Sequence, residues 1–474
     1  MPIYHLAVDI GASSGRHIIG YIENSKIHLK EIYRFENKLI EKNGHLCWDI
    51  DGLFTHIKEG IKACRQQGFM PASMGIDTWA VDFVLLDKDG NRISDAVAYR
   101  DERTNGIRDE REEKGILPFM YHYARTGIQY QKFNTVYQLV AMQKENPEIL
   151  EKADAMLMIP DYLGYLLTGI KAQEYTNATT TGLVNAYAKT WDKELIDKLG
   201  LPERIFLPIL QPSTVLGDFS EQIQKETGVN TVVIMPASHD TGSAYLSVPA
   251  RDDNAVFLSS GTWSLLGVEN MDPITNRESM ELNLTNEGGY EYRYRYLKNI
   301  MGLWMIQNIR RELKDENGNL PSFPDLIDAA KSASSFPSIV DVDDDRFLAP
   351  KSMIEEVKQA CADSKQPVPS TIGEVMQVVY ASLAKDYKKA IDALEQLTGK
   401  KYTSVNIVGG GSQDMYLNQM TANATGLTVF AGPTEGTALG NLLVQMIATQ
   451  QIASLQEARD IIRKSFDIKE VKPL

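Results

Sequence analysis

The chain has 474 residues, of which 43% are hydrophobic and 24% charged, and a formal net charge of −14. That length is too great for one comfortable core in a chain of ordinary globular composition, so at least two domains are predicted. The acidic balance excludes non-specific binding to nucleic acid or to an anionic membrane, and an anionic ligand would have to be met by backbone N–H groups, a few cations or a metal.

In chain order, residues 6–10 (LAVDI) predict a short apolar strand, Gly11-Ala12-Ser13-Ser14-Gly15 a small polar turn, and residues 17–22 a second strand. The pattern returns at 255–258, 259–262 and 263–268. Two domains of related build are therefore expected, with a border near 245–254, dividing the chain into 1–247 and 248–474. Helical periodicity marks 53–67, 372–397 and 434–450, the last with Gly436 and Gly440 permitting close packing. Residues 403–408 read as a strand running into Gly409-Gly410-Gly411. Strand–helix alternation in both halves argues an α/β fold. The polar stretch 313–370 reads as surface structure.

The three cysteines, Cys47, Cys64 and Cys361, fit neither a disulfide framework nor a zinc spacing. A reducing compartment, the cytoplasm, suits them. No basic and apolar leader opens the chain, and no apolar run approaches the ~20 residues of a membrane span.

Several chemistries are disfavoured by missing motifs. There is no G-x-x-x-x-G-K-[ST] loop and no H-E-x-x-H, and the 409–411 glycines do not continue as G-x-G-x-x-G. What remains points elsewhere. Small residues in the 11–15 turn let backbone N–H groups face open space, which makes either an anion nest or a plain hairpin. Ser13 and Ser14 add hydroxyls, Arg16 a charge, and Asp9 could hold a hydrated Mg2+. The 259–262 turn could grip the same polyphosphate, and the 409–411 run could let a flat base lie against the backbone. Asp240, in the run Ala237-Ser238-His239-Asp240-Thr241-Gly242, stands between a strand (232–235) and a helix (242–248). It reads as a helix cap, and the helix dipole would keep it ionised, as a general base for a hydroxyl needs. Asp77, Trp79 and Asp82, at 75–83, would suit a sugar, or else be an ordinary exposed loop or a buried tryptophan.

Together these stretches resemble the FGGY carbohydrate kinases of the actin–hexokinase superfamily. The likeness is carried by AVDIGASSGR (7–16), GIDTWAVDFVLLD (75–87), AYRDERTNG (98–106), PDYLGYLLTG (160–169), EYTNATTT (174–181), ASHDTGSA (237–244), LSSGTWSLLG (258–267), LKNIMGLWMIQ (297–307) and IVGGGSQD (407–414). The resemblance implies two ribonuclease-H-like domains flanking a catalytic cleft. It implies that Ala12, Ser13, Ser14, Gly15, Arg16, Thr262, Gln307 and Gly410 bind ATP. It further implies that Ala80, His239, Asp240, Thr241 and Asn299 contact the sugar, with Asp240 as base. Ala80 stands where relatives carry glycine, so a methyl group would crowd that part of the pocket. The runs look most like those of members acting on L-rhamnulose, with L-fuculose, xylulose or glycerol as alternative acceptors. A non-enzymatic nucleotide clamp would leave the runs at 75–83 and 174–181 without a purpose.

Overall fold

A computed structural model of the chain describes residues 2–474, which fall into two compact units. The first unit contains residues 2–247, 269–296 and 436–465; the second contains 248–268, 297–435 and 466–474. Both are built on mixed sheets with helices packed against them.

In the first unit the strands are β1 (Tyr4–Ile10), β2 (Ser14–Glu23), β3 (Lys26–Glu36), β4 (Pro71–Thr78), β5 (Val215–Asp218) and β6 (Val232–Ile234). Their order is β5-β6-β4-β1-β2-β3. β1 runs antiparallel to β2 and parallel to β4, which is parallel to β6. A second sheet repeats this plan with β7 (Ala255–Ser260), β8 (Ser264–Asn270), β9 (Tyr294–Ile300), β10 (Ser404–Val408), β11 (Thr428–Ala431) and β12 (Lys469–Val471), in the order β9-β8-β7-β10-β11-β12, with the strand Thr285–Gly288 as a seventh beyond β9; residues 269–270 of β8 and 294–296 of β9 belong to the first unit. β7 is antiparallel to β8 and parallel to β10, and β10 is parallel to β11. Each unit therefore starts from a hairpin whose first strand becomes the sheet centre, and the parallel neighbour arrives after a helix. The repeat of strand, turn and strand expected from sequence is present in both.

Burial explains why the central strands are apolar. Leu6, Val8 and Ile10 on one face of β1 join Leu53, Ile57 and Ile61 of the helix Ile50–Gln66 in one core. That helix is capped by Asp49, whose carboxylate accepts from the Gly52 amide at 3.0 Å. The alternate face carries His5 and Asp9 on β1, and Ser73 and Asp77 on β4. It is covered by the helix Gly436–Ala448, which reaches it with amides: Gln445 donates to the Leu6 carbonyl at 3.0 Å and accepts from the Ser73 hydroxyl at 2.7 Å. The 313–370 stretch is mostly exposed or half-buried, as expected of surface structure, but it is ordered into helices with a buried edge. It forms the helices Phe323–Ser332 and Met353–Asp363 and buries Leu326, Phe347, Met353 and Val357. Its apolar residues are few, but they lie three and four apart on one face of each helix, a spacing that overall polarity hides.

Gly440 sets how closely the helix Gly436–Ala448 can approach the helix Asp240–Leu246. A Cβ on Gly440 would stand 1.8 Å from the carbonyl oxygen of Ser243. Alanine normally favours a helix by about 1 kcal/mol over glycine, but here it must push two helices apart. Overpacking of this kind costs about 1–3 kcal/mol. Gly440→Ala is therefore expected to lower the urea midpoint with an unchanged m-value, whereas a midpoint at or above that of the parent would show that the contact is slack.

Candidate active site

The ends of β1, β4 and β6 bring three carboxylates of the first unit together. Asp9 and Asp77 are register partners on adjacent parallel strands. The chain beyond β6 joins them, because the Thr78 amide donates to the Ser238 carbonyl at 2.9 Å and Thr78 bridges His239. Asp240 follows immediately and opens the helix Asp240–Leu246. Ligand sites in open α/β sheets are found at the carboxyl ends of strands in this way.

Each carboxylate has a different environment. Asp9 accepts two bonds from Arg16, at 3.0 and 2.8 Å, both on Oδ2. Arg16 thus neutralises Asp9 before it meets any ligand, and Oδ1 of Asp9 stays open. Asp77 is buried; Oδ2 accepts from Asn441 at 2.6 Å, and Oδ1 has no partner among the described residues. Burial, and then the charge of Asp9, hold the Asp77 carboxyl well above the usual range. About a third of the Asp240 side chain is exposed. Its Oδ1 accepts from the amide and hydroxyl of Thr241, at 2.6 and 3.1 Å. Burial first and Asp9 second push it up to about 7, against the smaller downward pull of the Thr241 bonds. This corrects the expectation that a helix start keeps the group firmly ionised: near neutrality Asp240 is poised between its two states, where a general base works best.

The 11–14 turn is pinned from behind. The Asn37 amide donates to the Ser13 carbonyl at 3.0 Å, and its side chain donates to the Gly11 carbonyl at 2.9 Å. The carbonyls are thereby occupied, while the amides of Ala12 and Ser13 donate to nothing among the described residues. Successive N–H groups of this kind can form an anion nest. Ser14 and Gly15 begin β2, and Gly15 lies so close to the Phe35 ring that a side chain there would strike it. Ala80 sits two residues past Thr78, in a tight turn closed by the Asp82 amide on its carbonyl at 2.9 Å. At the centre of that turn Val81 adopts φ 68°, unusual for a β-branched residue. Thr135 secures the turn by donating to the Val81 carbonyl at 2.6 Å.

Trp79 and Asp82 are interior groups. Asp82 accepts from the indoles of Trp48 and Trp79, at 2.6 and 3.0 Å, and from Gln138 at 2.9 Å, and both tryptophans are buried. Of the readings open at 75–83, the structure takes the buried tryptophan.

Sequence reasoning gave no role to Glu174, which is fully buried and binds both the amide and the hydroxyl of Ser238, at 3.1 and 2.6 Å. It also caps the short helix Tyr175–Thr179 through Thr176 and Asn177, and Thr176 accepts from the His239 amide at 3.2 Å. The segment carrying His239 and Asp240 is therefore braced from the 174–181 run. That run was visible in the family likeness, but its bracing function was not.

In the second unit, Thr262 is the exposed tip of the β7–β8 turn. This turn too is pinned through its carbonyls: the Leu303 amide reaches Gly261 at 3.3 Å and the Trp304 amide reaches Thr262 at 3.0 Å. The helix Trp304–Glu312 starts at that point and carries half-buried Gln307. Gly409 and Gly411 pack against Ser260, whereas a side chain on Gly410 would meet open space. Asn299 lies half-buried on β9. The predicted residues thus gather as 9–16, 80 and 239–241 in the first unit, and as 262, 299, 307 and 410 in the second.

Residues 4–247 match the model of the N-terminal domain of the FGGY family of carbohydrate kinases, and residues 256–449 that of its C-terminal domain. The chain belongs to this family. This FGGY kinase is similar to a rhamnulokinase of Oceanobacillus iheyensis, with 52% identity over 98% of this chain and 97% of the relative. It is similar to a rhamnulokinase of Halalkalibacterium halodurans, with 51% identity over 98% of each, and to one of Bacillus subtilis, with 41% identity over 99% and 95%. Its fold is that of a gluconate kinase from Lactobacillus acidophilus, at TM-score 0.82 and 19% identity over 100% and 94% of the chains. It is equally that of a xylulose kinase from the same organism, at 0.83 and 19% over 99% and 94%. Among the described residues no helix is long and apolar enough to cross a membrane, and no three His, Cys, Asp or Glu side chains are grouped to hold a metal directly.

The raised Asp240 carboxyl has a stability consequence with a definite sign. In the unfolded chain an aspartate ionises near its ordinary value of about 4, whereas in the folded protein it does so only near 7. Its charge therefore opposes folding increasingly as pH rises between those values, and fully above 7. Asp240→Asn removes that charge. Thermal melts are expected to show the variant more stable than the parent at pH 8, with the gap closing toward pH 4; an equal or lower Tm at pH 8 contradicts the assignment.

Proposed function

We propose that this kinase transfers the γ-phosphoryl group of ATP to the 1-hydroxyl of L-rhamnulose, giving L-rhamnulose 1-phosphate and ADP in the cytoplasmic catabolism of L-rhamnose. The observation that carries the choice of sugar is the near-full-length likeness to proteins named rhamnulokinase. The chemistry rests on Asp240, a carboxylate close to half-ionised at neutral pH. The sugar oxygen forms its bond to the γ-phosphorus as the bond to the β–γ bridging oxygen breaks, and ADP leaves with that electron pair. The hydroxyl proton passes to Asp240. Positioning and electrostatics supply most of the rate in such transfers.

In this proposal residues 1–247 hold the sugar and the phosphate turn, and residues 248–474 hold the nucleotide. Ala80, His239, Thr241 and Asn299 place the sugar. Ala12, Ser13, Ser14, Gly15 and Arg16 receive phosphate oxygens with Thr262, and Gln307 and Gly410 receive the rest of the nucleotide. The open space beside Gly410 favours that role. A divalent cation, Mg2+, would neutralise phosphate charge. Asp9 fits its hydrated form, because both Arg16 bonds fall on Oδ2, no donor reaches Oδ1 among the described residues, and the ion keeps most of its waters.

A coupled ADP-release assay over L-rhamnulose, L-fuculose, D-xylulose and glycerol tests the substrate. L-Rhamnulose is expected to give the highest kcat/KM, and a higher value for another sugar replaces it. Loss of a positioned base typically costs about 10²–10⁴ in rate, so Asp240→Asn should lose turnover on that scale with nucleotide affinity nearly intact. Wild-type kcat is expected to fall as pH drops through about 7.

A further inference from the structure

Behind the catalytic segment lies an arginine that no step above uses. Arg295, on β9, is only 1% exposed. Its Nε donates to the Gly288 carbonyl at 3.0 Å, its Nη1 lies 3.0 Å from Oε2 of Glu287, and its Nη2 lies 3.0 Å from Nδ1 of His239. The guanidinium also faces the ring of Tyr245, at 5.9 Å. A buried cation is costly unless it is partnered; here Nε and Nη2 have hydrogen-bond partners, and Nη1 is held only at ion-pair distance from Glu287.

The contact at Nδ1 decides the state of the imidazole. An arginine can only donate, so Nδ1 must accept and carries no proton. The competing partner of Nδ1 is Oε2 of Glu287, which is farther, at 3.4 Å. The proton of a neutral ring then sits on Nε2, 3.4 Å from Oδ1 of Asp240. The other tautomer would set N–H against N–H at Arg295, and a ring lone pair against the carboxylate. Burial and the neighbouring Arg295 charge keep His239 well below its usual range, hence neutral. The charged groups facing it are Asp240 on one side, Glu287 and Arg295 on the other, and Asp9 beyond Asp240.

We propose that Arg295 is a positioning residue for phosphoryl transfer: through Nδ1 it locks His239 as the Nε2–H tautomer, so that this N–H donates to an oxygen of the acceptor sugar beside the base Asp240. At 3.4 Å the Nε2–H is too far from Asp240 to be spent there, which leaves it for the sugar. The donor orients the acceptor while the adjacent carboxylate takes its proton. This inference rests on Asp240 being the base of a sugar kinase, and Asp240→Asn turnover tests that premise separately.

Two measurements test it. In the unaltered protein, ring 15N shifts of His239, assigned with a His239→Gln variant, should show Nδ1 unprotonated and Nε2 protonated from pH 8 to pH 5. A protonated Nδ1, or titration near 6.5, overturns the proposal even if Asp240 is the base. The second is a double-mutant cycle. A charge-assisted hydrogen bond supports about a ten- to hundredfold effect, so Arg295→Met should lower kcat/KM for the sugar on that scale while leaving ADP affinity unchanged. Glutamine at 239 can offer an N–H without needing an acceptor partner. In the His239→Gln background Arg295→Met should therefore cost less than about threefold. Equal losses in both backgrounds would reduce Arg295 to a structural group.

Discussion

The parallel register of β1, β4 and β6 is the constraint on which the site depends. It puts Asp9 opposite Asp77 and, through the Thr78–His239 bridge, leads the chain straight into Asp240. Three acids drawn from distant parts of the sequence meet because three strand ends must meet. Everything near them either tolerates or tempers the resulting charge. Arg16 answers Asp9, Asn441 binds one oxygen of Asp77, and the Thr241 amide and hydroxyl bind Asp240. Burial, and then the charge of Asp9, keep the Asp240 carboxyl high, and among the described residues no arginine or lysine is paired with it.

Rigidity around Asp240 comes from polar groups as much as from apolar packing. Glu174 grips Ser238, Thr176 takes the His239 amide, and Gly440 lets a second helix lie against the one Asp240 begins. Buried polar networks of this kind are unforgiving: a missing partner leaves a desolvated group unpaired. They also hold a short segment in one conformation, which a loosely packed apolar contact would not.

Much of this was legible in the sequence. The two strand–turn–strand units, the strand into 409–411 and the long helices follow from local pattern, and the structure places each within a few residues of expectation. The order of short motifs along the chain pointed to the family. Long-range partnerships were not legible. Asn441 and Gln445 look like ordinary polar residues of an amphipathic helix, yet both face inward onto β4 and β1. Arg295 sits in a tyrosine-rich run, Tyr-Glu-Tyr-Arg-Tyr-Arg-Tyr, where Arg293 is indistinguishable by type. Trp79 and Asp82 have the composition of a sugar site, but indole N–H groups and a carboxylate satisfy one another equally well in a core. The ionisation of Asp240 depends on Asp9, more than two hundred residues away, so a helix dipole considered alone misjudges it.

The first unit is closed by chain that is made late. The helix Gly436–Ala448 covers the polar face of β1 and β4, and Gln445 occupies the Leu6 carbonyl in the opening strand. During synthesis that face has no lid until the ribosome has passed residue 448. An N-terminal segment that folds while the rest is still being translated would here lack part of its own cover. A nascent chain arrested before that helix would leave Asp77 and Ser73 without the partners that Asn441 and Gln445 provide.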